Sequence, residues 1–282
     1  MHVDLPELPD VGLHVFGAAL PRSRPSATAG LPDVEVSVHG VAQAPGRLAA
    51  YDRLCGFSLR DLVPPTWLHV LAFPVQAWIM SRPGFPFPAA GIRHLSNEMS
   101  LLHPVALTDR LDISVRAADL RPHRRGVAFD LVSEVSCGGL LVWRGVSTYL
   151  STQATLPGDP PSSLRLDLPD AGVSQQWRLP GDLGRRYAAV SGDTNPIHLH
   201  PLSARAFGLP RPIIHGMWTH ARALAALGGV LPERHGVRVQ FAKPLLLPGR
   251  AGFAATSDAD ASRFAVLSPE GKPHLIGELR AL

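Results

Sequence analysis

Apolar residues along the chain fall into two recurring patterns, one long all-round apolar block and a set of alternating runs. The block from about Pro65 to Met80 is apolar on nearly every side and is too long for a strand, so it predicts a helix surrounded by protein. After it, Ile92–Leu102, Leu111–Ala118, Gly126–Val135 and Leu140–Ser151 alternate with period two and predict strands. Further on, the order repeats. A loop is expected at Tyr187–His200, a short helix at Pro201–Gly208 and an apolar helix from about His215 to Leu227. Strands are then expected at Val237–Leu247, Arg250–Thr256, Arg263–Leu267 and Pro273–Leu282. One apolar helix followed by several strands, twice, without strand-helix alternation, points to an α+β fold in which a curved antiparallel sheet wraps each helix.

Individual residues repeat as well as elements. Tyr51, Cys55, Gly56 and Phe57 fall on Tyr187, Ser191, Gly192 and Asp193 at an offset of 136. After a loop 15 residues shorter in the first half, Trp67-Leu68-His69 falls on Trp218-Thr219-His220 at 151. Leu101-Leu102-His103-Pro104 matches Leu245-Leu246-Leu247-Pro248 at 144. Two looser stretches interrupt the pattern, Pro21–Gly30 and the proline-rich Leu156–Pro169. The second divides the chain into residues 1–155, a linker at 156–172, and residues 173–282. Duplication of one helix-plus-sheet unit is the expected architecture.

Composition narrows the class. At 282 residues, 45% hydrophobic and 18% charged, with a mean hydropathy of +0.09, the chain can bury a sizeable core. The stretch Trp67–Met80 is shorter than a membrane span and is interrupted by His69, Pro74 and Gln76, so no membrane partner is expected. The acidic, proline-containing start is unlike a secretion signal, which predicts a cytoplasmic protein. Cys55 and Cys137 form no framework or metal pair and read as reduced core thiols. The net charge of +4 comes from 25 Arg and 2 Lys against 23 acidic residues. That Arg bias reflects composition as readily as an anionic ligand.

The chemistry concentrates in one segment, Tyr187-Ala-Ala-Val-Ser-Gly-Asp-Thr-Asn-Pro-Ile-His198, followed by Pro212-Ile-Ile-His-Gly-Met217. Ser-Gly-Asp-Thr-Asn-Pro is turn chemistry, and Asp193 or His198 alone would read as a cap or a packed histidine. Together, an acid and an imidazole five residues apart in a turn-rich segment can converge on one water and perform general acid/base work. His215-Gly216 opens the apolar helix. Its free amides offer a site for a developing oxyanion, and glycine lets a carbonyl approach.

YAAVSGDTNPIH, then PIIHGM, then VRVQFAKPLLLPG resembles the hydratase-2 motif region of the MaoC-like acyl-CoA dehydratases, closely over Tyr187–Gly249 and in layout elsewhere. The resemblance implies a hot-dog fold, here a double hot dog, and hydration of trans-2-enoyl-CoA to (R)-3-hydroxyacyl-CoA or the reverse dehydration. It places the catalytic acid and histidine on Asp193 and His198, the oxyanion amide on Gly216, and the motif's asparagine on Asn195. It implies an acyl-CoA thioester as partner, no cofactor beyond the CoA of the substrate, and a homodimer. His215, Arg238 and Lys243 are the candidates for substrate binding, the last two for CoA phosphates. In the repeat, Phe57 stands opposite Asp193 and Leu62 opposite His198, which predicts one active site per chain, with the N-terminal half shaping the acyl tunnel. Trp67, Phe73, Trp78, Phe85 and Phe87 are candidates for its wall or for core.

Other readings are weaker. Asp193, His198, His200 and His215 could be grouped around a metal, but the spacing lacks a helical histidine pair and no metal is expected. No serine elbow, phosphate loop or dinucleotide fingerprint occurs. Arg121-Pro-His-Arg-Arg125 reads as a solvated hairpin without interleaved aromatics, so no nucleic acid is expected. A non-catalytic acyl-thioester-binding or structural hot-dog protein has no need of both Asp193 and His198. Thioesterases share the architecture but lack this order of acid, Asn-Pro and His.

Overall fold

The computed structural model describes residues 1–12, 30–88, 91–162 and 165–282. Most of the loose stretch from Pro21 lies outside them. Eleven strands, β1 (His2–Leu5), β2 (Glu35–Val41), β3 (Ile92–Leu101), β4 (Leu111–His123), β5 (Gly126–Cys137), β6 (Leu140–Ser151), β7 (Gln175–Leu179), β8 (His235–Phe241), β9 (Gly249–Ser257), β10 (Ser262–Leu267) and β11 (Pro273–Ala281), form one sheet. Its order is β1-β2-β4-β5-β6-β3-β8-β11-β10-β9-β7. Read outward from the central β3/β8 pair, the orders β3-β6-β5-β4-β2 and β8-β11-β10-β9-β7 are the same. β1 is an addition, the one strand among these that pairs in parallel.

The helices are α1 (Pro45–Cys55), α2 (Pro65–Ser81), α3 (Leu183–Ser191), α4 (Pro201–Ala206) and α5 (Gly216–Leu227). α2 and α5 are the two apolar helices, each wrapped by its own five strands. Trp67, Leu68, Val70, Leu71, Val75 and Ile79 of α2 are buried on all sides, as are Trp218, Ala221, Leu224 and Leu227 of α5. Burying each large side chain stabilises the fold by about 1.5–3 kcal/mol, which is why helices of this composition must lie inside a sheet. The α+β double hot-dog expectation holds. Between Ser151 and Gln175 the described residues carry no helix or strand, and Leu166 N–H donates to Gln240 Oε1 at 3.2 Å, fastening this segment to β8.

Two helices and a pair of cap glycines reproduce the repeat at the residue level. α1 ends at Gly56 (φ 85°) and α3 at Gly192 (φ 81°), both left-handed, a conformation glycine adopts without strain. Tyr51 and Tyr187 meet across the pair with ring centroids 6.1 Å apart. Trp67 and Trp218 each stand at the third position of their helix. Their indole N–H groups donate to Gln43 Oε1 and to Leu54 O.

Three expectations are corrected. Tyr187–Ser191 is the end of α3 rather than loop, because Leu183, Gly184, Tyr187 and Ala188 give one buried helical face. The strand-end match is offset by 140, not 144. Val63 N–H donates to Val105 O and Ile214 N–H to Leu245 O, both at 2.9 Å, with matching bridges Leu62–Ala106 and Ile213–Leu246. Pro104 therefore corresponds to Pro244, not Pro248. The same bridges place Leu62 opposite Ile213 rather than His198, so the segment bearing His198 has no counterpart in the first half.

Candidate active site

The site is built on the 23 residues from 193 to 215 that separate the cap Gly192 from α5. Ser191 Oγ accepts from Asp193 N–H at 3.2 Å, and Asp193 Oδ1 accepts from Asn195 N–H at 3.1 Å. Asn195 Oδ1 in turn caps a single 3-10 turn, Pro196–His198, by accepting from Ile197 N–H. Turn-forming side chains thus fix the loop through its own backbone. His198 is delivered inward, 8% exposed. Gly184 of α3 packs against the carbonyl of His198 so closely that a Cβ there would collide with backbone.

His198 Nδ1 lies 2.8 Å from Ile213 O. A carbonyl only accepts, so Nδ1 carries the proton and Nε2 presents its lone pair. His215 Nε2 lies 2.9 Å from Asp193 O and must likewise donate. The two imidazoles stack with centroids 3.6 Å apart and planes 27° from parallel, and Tyr187 lies 4.9 Å from His215 on its ring. Burial lowers the pKa of His198, opposed by the charge of Asp193, and pushes His215 well below its ordinary value with help from His198. Both rings are therefore neutral near pH 7. The Asp193 carboxylate remains partly open, its side chain 26% exposed.

Polar atoms of Asp193, His198 and His215 all fall within 4.8 Å of one another. Each imidazole keeps one nitrogen for a water or an ion there, its other nitrogen donating to a backbone carbonyl. His200, the fourth residue of that grouping, is used elsewhere: its Nδ1 accepts from Leu202 N–H and caps α4. What the spacing does suit is a water bridging carboxylate and imidazole. Gly216 completes the arrangement as the first residue of α5, whose amide has no acceptor within the helix. A Cβ on Gly216 would lie 2.9 Å from Phe241 Cε1, so only glycine leaves this end of the helix open beneath that ring.

Five predicted residues, Asp193, Asn195, His198, His215 and Gly216, are thus brought together, while Arg238 and Lys243 are not. Arg238 points away from the helices on β8, between inward Val237 and Val239, and its Nε pairs with Glu98 Oε2 at 3.0 Å. Glu98 is its own repeat equivalent (98 + 140 = 238) and its direct partner in the β3/β8 ladder, so the pair sits on the pseudo-twofold axis. Lys243 lines a surface depression with Leu209, Lys272 and His274. Trp67, Phe85 and Phe87 are core, and Trp78 stacks under Arg82, whereas Phe73 keeps part of its surface open. Sequence reasoning missed Gly184 and the stacking of His215. A glycine in a helix of good helix formers was the available signal for the first.

Residues 174–269 match the model of the MaoC like domain. The 3-hydroxyacyl-thioester dehydratase X of Mycobacterium tuberculosis is 38% identical over 256 residues, which cover 89% of this chain and 91% of that protein. The chain belongs to the MaoC-like dehydratase family. Within this MaoC-like group, the crystal structure of HtdX of Mycobacterium tuberculosis gives a TM-score of 0.78 at 36% identity, covering 88% of this chain and 100% of that one. The (R)-specific enoyl-CoA hydratase of Aeromonas caviae is 32% identical over 92 residues, 31% of this chain and 69% of that protein. Matches to both a dehydratase and a hydratase suit a reversible reaction.

Proposed function

We propose that this MaoC-like protein adds water to trans-2-enoyl thioesters to give (R)-3-hydroxyacyl thioesters, and catalyses the reverse elimination, at a single site in its C-terminal half. The observation that carries this reading is the neutral His198, its Nδ1 pinned as a donor to Ile213 and its Nε2 left free beside the Asp193 carboxylate.

In hydration, a water held between Asp193 and His198 Nε2 loses a proton to His198 as its oxygen bonds to C3. The π electrons shift toward the thioester oxygen, which the Gly216 N–H at the positive end of α5 stabilises. The imidazolium is favoured by the neighbouring Asp193 charge. The pair then returns one proton to C2 as the enolate collapses, so the enzyme ends as it began. His215 holds the Asp193 backbone and stacks on His198, which makes it a positioning residue in this scheme rather than the substrate ligand expected from sequence. Asn195 orients the loop.

CoA is the proposed carrier. Lys243 supports a phosphate contact, because its depression also holds Lys272 and His274 and adjoins the Ile213–Leu246 bridge leading to His215. The same reading includes a cytoplasmic setting and a homodimer, supported by composition and family resemblance. Among the described residues no helix is long and apolar enough to cross a membrane. The test is direct: purified protein mixed with crotonyl- to decenoyl-CoA should remove the conjugated-thioester absorbance and yield the (R)-alcohol. Release of free thiol instead, or inertness toward every chain length, would refute the assignment.

A further inference from the structure

The helix-facing side of β3 runs through Leu101, Met99 and Asn97, all buried. Continued with period two, it would turn Leu95 inward and His94 outward. The ladder to β6 prevents this. His94 lies opposite Tyr149 and Ser96 opposite Thr148, leaving Leu95 as the extra residue of a β-bulge. Bulges of this kind re-aim a side chain and are common beside active sites. His94 consequently stacks on Tyr149 at 4.6 Å and meets Phe241 at 4.8 Å, with His69 of α2 at 6.3 Å. Phe241 is the ring that covers Gly216. One side chain therefore separates His94 from the oxyanion amide.

The polar groups of this region are only partly paired. Tyr149 Oη donates to Gln76 Oε1 at 3.1 Å and Gln76 Nε2 to Ser133 Oγ at 2.9 Å, which closes that branch. His94 Nε2 and His69 Nδ1 are buried and meet no partner among the described residues. His69 is 3% exposed, whereas His94, Phe73 and Phe241 each keep part of their surface open. Burial holds both imidazoles neutral, His69 at about 4 and His94 well below its ordinary value. A neutral imidazole keeps one nitrogen as an acceptor, and Nε2 is the nitrogen of His94 left without a partner. An alkyl chain laid here would leave that acceptor unsatisfied, a recognised cost in a buried site.

We propose that the acyl side of the site recognises thioesters whose chain carries a hydroxyl beyond C3, with the bulge-directed His94 Nε2 accepting its hydrogen bond. This rests on the acyl-thioester reading above and deepens it to a substrate class, hydroxylated acyl chains. Phe73 and Phe241 would flank the hydrocarbon, and Tyr149, already bonded to Gln76, would hold the His94 ring.

Affinity tests this independently of turnover. Octanoyl-CoA and its 5-, 6-, 7- and 8-hydroxy forms have no leaving group at C3 and cannot be dehydrated. Their binding is measured calorimetrically to wild type, His94→Phe and His94→Gln. At least one hydroxy form should bind wild type about tenfold tighter than octanoyl-CoA, as expected when a buried acceptor gains its partner. The advantage should vanish in His94→Phe and persist in His94→Gln, which retains an acceptor. Equal or weaker binding of every hydroxy form to wild type, an advantage surviving in His94→Phe, or no thioester binding at all would overturn the proposal. Discrimination by a protein that never hydrates enoyl-CoA would support this proposal while refuting the hydratase reading.

Discussion

The two halves of the molecule share ten strands in matching order and two buried helices, yet they differ in the connection before the long helix. From Gly56 to α2 the N-terminal half spends residues 57–64, whereas from Gly192 to α5 the C-terminal half spends 193–215. Lengthening a surface connection costs little closure entropy, and here the added residues, which precede Ile213, carry Asn195, His198 and α4, while His215 stands opposite Pro64. The contrast extends to the elements beneath it. At the position of Gly184, which admits the His198 carbonyl, the first half has the buried Leu48 (48 + 136 = 184). At the position of Gly216 it has Pro65 (65 + 151 = 216), which has no N–H to offer an oxyanion. The proposed site thus differs from the first half by an inserted loop and by glycines at the two places where that loop or the substrate would meet a helix.

Breaking that asymmetry should have graded effects. Of the two glycine substitutions Gly184→Ala has the larger effect, because its Cβ collides with backbone and must shift the His198 turn. A misplacement of about 1 Å at a reacting group costs on the order of 10²-fold, so enoyl-CoA hydration should fall about a hundredfold with circular dichroism unchanged. Gly216→Ala pushes on the Phe241 ring, which can yield, and should cost about tenfold in kcat.

Acid sensitivity probes what the halves share. His69 and His220, equivalent at an offset of 151, are buried with pKa values lowered by burial to about 4 and about 3. A depressed folded-state value gives stability that is present above about pH 6.5 and is lost as pH falls toward the folded value. By pH 5 each such histidine should have cost ~2 kcal/mol. Thermal unfolding should therefore weaken steeply from pH 7 to pH 5, and His220→Leu should flatten the slope. An unchanged slope would remove His220 from the account.

The smallest effect separates the halves again. Asp52 is 3% exposed where the second half has Ala188, and burial raises its carboxyl to about 6. A raised value favours the protonated form in the folded state, so stability is lost as pH rises from about 4 to 6. Asp52→Asn should then raise stability above pH 6 by on the order of 1–2 kcal/mol, measured by urea unfolding, with no gain at pH 4.

The strands β3 to β6 could be read from alternation because each is long and bounded by turns. β2 and β7 could not, being short strands toward the sheet edges with weak alternation, and α3 was hidden because Ser191-Gly192-Asp193 reads as turn chemistry that extends backward over a helix. The register error of four residues arose because Leu245–Leu247 before Pro248 looks more like Leu101-Leu102 before His103-Pro104 than Ala242-Lys243 before Pro244 does, so residue pattern favours the wrong proline. Asp193, Asn195, His198 and Gly216 were readable since spacing in a single loop preserves proximity. Arg238 was misplaced because strand parity decides its face, and His94 was invisible because a bulge reverses parity without a sequence mark.

The central claim is that chemistry resides in the C-terminal half alone, at the inserted loop and the two residues that border it in the repeat, Asp193 and Gly216. Its most direct test is the steady-state hydration rate of a trans-2-enoyl-CoA by wild type beside His198→Ala and Asp193→Asn. The account predicts that each variant keeps its fold and loses about 10²–10⁴-fold in rate. Full rates in either variant, or a wild type that hydrates nothing, would contradict it.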